Sequence, residues 1–180
     1  LKHIGADQIL AHRIFWSLLF YLGIWFLFFR KSGRKTVFNK KLFLQVATGS
    51  VVVASNWFVY IWAVNSGHVL ETSLGYFINP LVNVILGYVV LGEHLSRRKW
   101  AAIVLASVGV LVMATQVKEI WISLFLAFSF GFYGLIRKMM KAPPIQTSAM
   151  ETFFLSIPAM IYATFTWEQT ATWDVNTYVL

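Results

Sequence analysis

The chain has 180 residues, of which 58% are hydrophobic and only 12% are charged. A soluble domain carries about 25% charged residues, so this composition excludes a water-exposed globular protein and indicates a membrane protein. Cysteine is absent, which excludes a disulfide framework and a thiolate metal site. The net charge is +8, but the basic residues lie in separate loops and form no continuous face for nucleic acid.

Six apolar runs, separated by short polar breaks, follow one another along the chain. They cover about residues 9–29, 42–64, 70–91, 100–117, 120–136 and 145–167. Each run is close to the roughly 20 residues that a helix needs to span a bilayer, and none shows the period-two alternation of an outer-membrane strand. The sequence therefore predicts an all-α, multi-pass transmembrane helix bundle with six crossings.

The positions of lysine and arginine predict the direction of the crossings. Of the 15 basic residues, 12 lie in three alternate loops, which follow the runs 9–29, 70–91 and 120–136. Because cytoplasmic loops are enriched in lysine and arginine, we expect these three loops in the cytoplasm and Leu1 outside. Leu1 is not an initiator methionine, so we expect the chain to be part of a longer protein.

Two charged residues lie inside the apolar runs. Arg13 is about one turn inside the outer end of the 9–29 run, and Glu151 is about two turns inside the cytoplasmic end of the 145–167 run. A charge at bilayer depth is costly, so such residues face protein or water and mark pathways. The alternatives are an Arg13 that reaches the outer head groups and a Glu151 at an interfacial helix start. We predict that both line the substrate pathway, and we hypothesise that Glu151 carries a proton.

The 42–64 run carries Asn56, Trp57 and Tyr60 near the middle of the membrane. Asn56 and Tyr60 are four residues apart and therefore share one face of a helix. Trp57 is too deep for an interfacial anchor, and its indole N–H needs a partner in hydrocarbon. We predict that all three residues belong to the substrate pathway, with plain helix packing as the alternative.

A stripe of small and polar residues runs along the 70–91 helix. At four-residue spacing it consists of Gly75, Asn79, Asn83 and Gly87, with Tyr76 and Pro80 on the adjoining row. Pro80 lacks an amide hydrogen and obstructs the preceding turn, so the helix should bend and free a carbonyl group. We predict a water-lined substrate cavity beside Pro80, faced by Tyr76, Asn79 and Asn83. A kink whose carbonyl is satisfied by the asparagine side chains is the alternative.

Small residues in the following runs predict close contact between helices. They are Ala102, Ala106, Gly109, Gly131 and Gly134. The sequence contains no phosphate-binding loop, no dinucleotide-binding motif and no HExxH motif. The four histidines lie near opposite membrane faces, so they cannot share one metal ion. We therefore expect no catalytic residue, no cofactor and no metal site.

Several stretches of the chain resemble a known family of transporters. Residues 79–81, 92–95 and 109–111 (NPL, GEHL and GVL) resemble the end of an EamA repeat from the drug/metabolite transporter superfamily. Three further stretches are similar to the RarD-type subfamily: AHRIFWS at 11–17, SFGFYGLIRK at 129–138, and NWFVYIWAVNSGHVLETSLGYFINPLVNVILG at 56–87. The resemblance covers essentially the whole chain.

The resemblance implies ten helices in two inverted five-helix repeats, placed in a bacterial inner membrane around a cavity used for alternating access. This chain would hold helices two to seven. Residues 1–117 would form the first repeat without its first helix, and residues 118–180 the first two helices of the second repeat. Arg13 and Glu151, offset by 138 positions, would be equivalent residues that line the outer and inner mouths, too far apart to pair.

These observations together predict a secondary transporter and not an enzyme. The expected partners are the lipid bilayer and a small organic solute or a drug such as chloramphenicol, with which RarD-type proteins are associated. Protons are one expected driving ion, and facilitated exchange without a driving ion is the alternative. An integral-membrane enzyme acting on a lipid or isoprenoid substrate is the alternative, and it would need acids or histidines clustered at one face. A non-transporting membrane partner would be expected to carry a large soluble loop.

Overall fold

A computed structural model describes residues 5–24, 26, 27 and 39–170. This part of the chain forms six α-helices and contains no strand. The helices are α1 (Ala6–Ile24), α2 (Lys40–Asn65), α3 (Val69–Leu91), α4 (Arg97–Ala114), α5 (Ile120–Met139) and α6 (Pro144–Thr170). The predicted all-α class and the six predicted helices are therefore confirmed. Residues 28–38, which include four of the basic residues used for orientation, lie outside the described residues.

Side-chain and backbone caps set the helix boundaries. The Asn39 side chain accepts a backbone N–H of the first turn of α2 at 2.8 Å. The Ser96 hydroxyl accepts the N–H of Lys99 at 3.4 Å, and α3 ends at Gly92, which has a left-handed φ of 67°. Because Ser96 is an N-cap, α4 begins three residues earlier than predicted and includes the basic residues that were assigned to a loop.

Three of the described helices are long and apolar enough to cross a membrane, namely α2, α3 and α5. α1 carries Asp7, His12 and Arg13, and α4 begins with three basic residues in succession. These polar groups reduce the apolar character of both helices. Length and composition thus support three of the six predicted crossings, and the remaining crossings stay predictions.

α2 lies between two pairs of packed helices. On one side of it, α3 and α5 form the most extensive helix pair, with Leu74 of α3 and Ala127 of α5 fully buried between them. On its other side α1 packs against α6, and Ile14 and Leu155 of this pair meet Val53 of α2. α2 is therefore in contact with α1, α3, α5 and α6.

Two glycines allow α3 and α5 to approach closely. A Cβ atom at Gly75 would lie 3.1 Å from the Ser123 carbonyl oxygen, and one at Gly131 would lie 2.5 Å from Cγ1 of Val82. Both distances are shorter than an ordinary van der Waals contact, so a side chain at either position would push the helices apart. The close contact predicted at Gly131 is confirmed.

We expect Gly131→Ala to lower the free energy of unfolding by about 1–3 kcal/mol, the usual cost of overpacking. Val82 is β-branched, so its methyl group cannot turn aside without leaving a preferred rotamer. Gly109→Ala is the matched control, because nothing lies within 4 Å of the added Cβ. Thermal unfolding of the purified full-length protein in detergent measures both changes. Equal losses in the two variants would contradict close packing at Gly131.

The small residues of α4 do not make the close contacts that were predicted for them. Ala102, Ala106 and Gly109 are all exposed, and no residue of α4 is buried within the described part of the chain. α4 contacts the α3–α5 core only near its end, through residues such as Val110 and Met113. Within the described residues this prediction is not met, because the helix segment that carries the small residues does not touch a neighbouring described helix closely.

Candidate functional site

A cleft opens between α2, α3 and α5. It is shallow: the volume that it encloses is about 10 Å³, room for about one water molecule. Amide, hydroxyl and ring groups line it together with apolar atoms: Asn56, Tyr60, Thr72, Gly75, Tyr76, Asn79, Leu126 and Phe130. Pockets for drug-sized molecules enclose about 300–1,000 Å³. The described residues therefore form one polar wall that such a molecule could contact, and not an enclosed site for it.

Asn56 positions the wall of the cleft where α2 meets α5. Its side chain is buried, and its Nδ2 donates to the Leu126 carbonyl oxygen at 2.9 Å and to the Ser129 hydroxyl oxygen at 2.8 Å. Two hydrogen bonds between helices hold the amide in one orientation. Tyr60 lies one turn further along α2 and also lines the cleft, as their shared helical face predicts.

Only part of the polar stripe of α3 lines the cleft. Gly75 and Asn79 line it, whereas Asn83 and Pro80 are absent from its lining. This cleft therefore includes neither of them, and their place in the substrate pathway stays a prediction. The Asn83 amide instead donates to Oδ1 of Asn79 at 2.6 Å, and it lies beside Gly134, where the missing side chain leaves room for it. α3 remains helical through Pro80, which is exposed.

Trp57 packs against neighbouring helices and does not line the cleft. Its half-buried ring contacts the cluster of Ile14, Val53 and Leu155, which joins α1, α2 and α6. The Arg13 guanidinium carbon lies 4.7 Å from the centre of the ring, a cation–π geometry. The packing alternative therefore describes Trp57, and its position brings Arg13 to the surface of α2.

Arg13 lies beside the cleft rather than inside it. In addition to its contact with Trp57, its charge is close enough to act on the Tyr76 side chain. Tyr76 in turn meets Tyr60 edge to face, with ring centroids 5.7 Å apart. Arg13 is exposed, and no carboxylate of the described residues lies within ion-pair distance of it.

Glu151 is buried in a polar cluster between α5, α6 and α2. Its Oε2 accepts hydrogen bonds from Nη1 of Arg137 at 3.0 Å and from the Tyr133 hydroxyl at 2.9 Å. Arg137 also donates to the Ser148 hydroxyl oxygen at 2.9 Å. The second oxygen, Oε1, is buried and has no hydrogen-bond partner among the described residues. It faces Gly49 of α2, where a Cβ would lie 3.2 Å away.

Sequence reasoning identified Glu151 but missed its partner. Arg137 was counted only as one of the basic residues that set the orientation of the chain. The available signal was the short connection at residues 140–143, which places the last turn of α5 beside the first turns of α6. As expected, Arg13 and Glu151 do not pair with each other, because Arg137 holds the carboxylate.

A second buried carboxylate, at the opposite end of the bundle, was also missed. Oε1 of Glu71 accepts the backbone N–H groups of Lys118 and Glu119 at 3.2 and 3.5 Å. The Glu71 carbonyl oxygen accepts a hydrogen bond from Ser123 at 2.7 Å. Glu71 therefore fastens the connection between α4 and α5 to the first turn of α3. No role was predicted for Glu71 from the sequence.

Glu71→Ala is expected to lower the free energy of unfolding by about 1–3 kcal/mol, because the amides of Lys118 and Glu119 lose their acceptor. Glu119→Ala is the control, since that exposed carboxylate accepts only a local bond from Trp121. Its cost should stay within about 0.5 kcal/mol. Hydrogen exchange of the Lys118 amide in the full-length protein should accelerate in Glu71→Ala alone. Unchanged exchange would contradict the fastening role.

No group of three or more histidine, aspartate or glutamate side chains is placed to hold a metal ion in the part of the chain that the structure describes. His3 and Asp174 lie outside it.

Residues 1–115 match the EamA-like transporter family. The chain is 46% identical to Protein RarD of Streptomyces exfoliatus, over 90% of this chain and 52% of that protein. It is 42% identical to an uncharacterized transporter of Pseudomonas aeruginosa, over 92% of this chain and 56% of the relative. Protein RarD of Escherichia coli is also 42% identical, over 89% and 55% of the two chains.

The chain spans about half the length of the curated relatives it matches. No solved structure matches it. The family match covers α1 to α4 and so includes two of the three helices that form the cleft. Because this match extends over more than half of its residues, the chain belongs to the EamA-like transporter family.

Proposed function

We propose that the full-length protein is a secondary transporter that moves a small organic solute across the inner membrane of a bacterium by alternating access. The observation that carries this proposal is the cleft, where polar groups near the middle of α2 and α3 face open space. Membrane helices keep such groups where protein, water or a solute can satisfy them. The transporter names of several relatives support the proposal. Chloramphenicol is the drug we propose as a first test substrate.

The proposed division of the chain places residues 1–117 in a first repeat that lacks its first helix, and residues 118–180 at the start of an inverted second repeat. The family match over residues 1–115 supports this boundary. α1 and α6 would be equivalent helices, and they pack against each other. Rocking of one repeat against the other would open the cleft to each side in turn.

In the proposed orientation, the end of the bundle that carries Arg97, Arg137 and Lys138 is cytoplasmic. Lys138 pairs with Glu93 at this end, and the Arg137–Glu151 pair lies above it, at the proposed inner mouth. Protonation of Glu151 would remove the charge that holds Arg137, which is how a proton gradient could drive the cycle. Transport by Glu151→Gln should then become independent of the gradient.

The proposal is tested by measuring chloramphenicol transport into vesicles that contain the full-length protein, with and without a pH gradient. Asn79→Leu is expected to lower the initial rate about tenfold, because it removes a polar contact worth about 1.4 kcal/mol from the cleft. Tyr88→Leu is the control, since this exposed residue of α3 contacts Trp100 outside the cleft. Equal rates for the two variants would contradict the role of the cleft.

A further inference from the structure

Side chains of α1, α2 and α3 come together on one surface of α2. The Arg13 guanidinium carbon of α1 lies 4.7 Å from the centre of the Trp57 ring, and Tyr60 of α2 meets Tyr76 of α3 with ring centroids 5.7 Å apart. α1 and α3 each pack against α2 but make little contact with each other. Arg13 and Tyr76 both lie seven residues from the start of their helices, or about 10 Å at 1.5 Å per residue. The guanidinium and the mouth of the cleft are therefore at similar depth.

The charge of Arg13 is not compensated by the described part of the protein. Guanidinium carries five N–H donors, and the ring of Trp57 engages the charge without accepting them as an oxygen would. The two buried carboxylates are already occupied: Glu71 by backbone amides, and Glu151 by Arg137 and a tyrosine hydroxyl. No acidic residue lines the cleft. Arg13 therefore places beside the cleft a positive charge with which no described carboxylate side chain forms an ion pair, and this charge favours an anion.

Aromatic rings surround the same space. Tyr60, Tyr76 and Phe130 line the cleft, and the first two meet edge to face. A flat ring of a solute could stack on the exposed ring of Tyr76, and the half-buried amide of Asn79 could bind a polar group beside it. Aromatic rings alone would also attract a cation. Because Arg13 places a fixed positive charge at the edge of this space, we expect the preferred solute to carry a negative charge.

We infer that Arg13 and the rings of Tyr60 and Tyr76 form a recognition site for organic anions in which a carboxylate is joined to an aromatic ring. The carboxylate would pair with the guanidinium, which matches its two oxygens with two parallel N–H donors. The ring would lie against Tyr60 and Tyr76 at the mouth of the cleft. This inference deepens the proposed transport function and rests on it for the direction of movement, but the binding step can be measured separately.

The test uses three probes of nearly equal size and different charge: 2-naphthoate, 2-naphthamide and 2-naphthylmethylammonium. Equilibrium binding to the full-length protein is measured by calorimetry in a maltoside detergent, which contains no phosphate. We expect naphthoate to bind at least tenfold more tightly than the amide, and the ammonium probe to bind most weakly. Added salt should weaken only naphthoate binding.

Arg13→Gln should remove the preference for naphthoate over naphthamide, while Arg13→Lys should retain part of it, because lysine keeps the charge but loses the paired donors. Arg98→Gln is the matched control, since this exposed arginine lies at the start of α4. It should leave the preference unchanged. The inference is overturned if the three probes bind equally, if none binds, or if the preference survives Arg13→Gln.

A lipid phosphate is the other anion that Arg13 could meet. Binding is therefore repeated with added phosphatidylglycerol. Naphthoate binding that persists supports a solute site, whereas its displacement by the lipid in the wild type would assign Arg13 to head groups and overturn the inference. Naphthoate binding without chloramphenicol transport would contradict the proposed function for that drug and support the anion site. Chloramphenicol transport without a preference for naphthoate would support the proposed function and contradict the anion site.

Discussion

Arg137→Met is expected to lower the free energy of unfolding by about 3–5 kcal/mol, the usual cost of leaving a buried charge without its partner. The Glu151 side chain is only 6% exposed, and the variant would leave its carboxylate with a single donor, the Tyr133 hydroxyl. Glu151→Met should cost less. The Arg137 side chain is 22% exposed and still reaches the Ser148 hydroxyl and solvent.

The double variant Arg137→Met, Glu151→Met should recover most of the loss, because two apolar side chains of similar volume can replace a buried ion pair. Unfolding of the full-length protein in detergent gives the coupling energy between the two positions, which we expect to be at least about 2 kcal/mol. Lys138→Met is the control, since it breaks an exposed pair with Glu93 at the same end and should cost under about 1 kcal/mol. Similar losses of unfolding free energy for Arg137→Met and Lys138→Met would contradict the conclusion that Arg137 stabilises the buried Glu151 carboxylate.

The Arg137–Glu151 pair joins three helices and not only two. It links the end of α5 to the start of α6, and the second carboxylate oxygen lies against Gly49 of α2. The Ser50 hydroxyl of α2 also lies 3.5 Å from the Glu151 carbonyl oxygen. Any movement of α6 relative to α2 must therefore carry the carboxylate with it or expose it. Movement of α6 at the proposed inner mouth would therefore change the surroundings of the Glu151 carboxylate.

The helices could be predicted from the sequence because each apolar run has its own length and ends in polar residues. The exact ends could not, since a single N-cap such as Ser96 moved the start of α4 by three residues. Glu151 could be identified because a carboxylate inside an apolar run is costly wherever it lies. Its partner Arg137 could not, because the positive-inside pattern explained that arginine equally well without any contact.

Helical spacing predicted which residues share a face, but not which neighbour that face meets. Asn56 and Tyr60 share the cleft as their spacing requires. The same spacing did not indicate that Asn83, which follows Asn79 on the stripe, lies beside Gly134 of α5. Nor did it indicate that the start of α4, with Ala102, has no close neighbour among the described helices. The periodicity of one helix does not reveal which residues of other helices pack against it.

The second large effect is expected from substitution of Asn56, which lines the cleft. Asn56→Leu should reduce solute transport by the full-length protein at least tenfold. It removes the two donors that tie α2 to α5 and places a branched apolar side chain where the cleft is polar. The expected loss of stability is smaller, about 1–2 kcal/mol, because hydrogen bonds between membrane helices average about 0.6 kcal/mol each. The loss of transport should therefore be larger than the loss of folded protein would cause.

Ser55→Ala is the matched control for this variant. Ser55 neighbours Asn56 in α2, but its hydroxyl donates within the helix to the Val51 carbonyl oxygen at 2.8 Å and lies outside the cleft. Its transport rate should equal that of the wild type. Ser129→Ala removes one of the two acceptors of Asn56 and should give an intermediate rate. If Asn56→Leu lost transport only in proportion to its loss of folded protein, the amide would be a packing group and the cleft would not be the pathway.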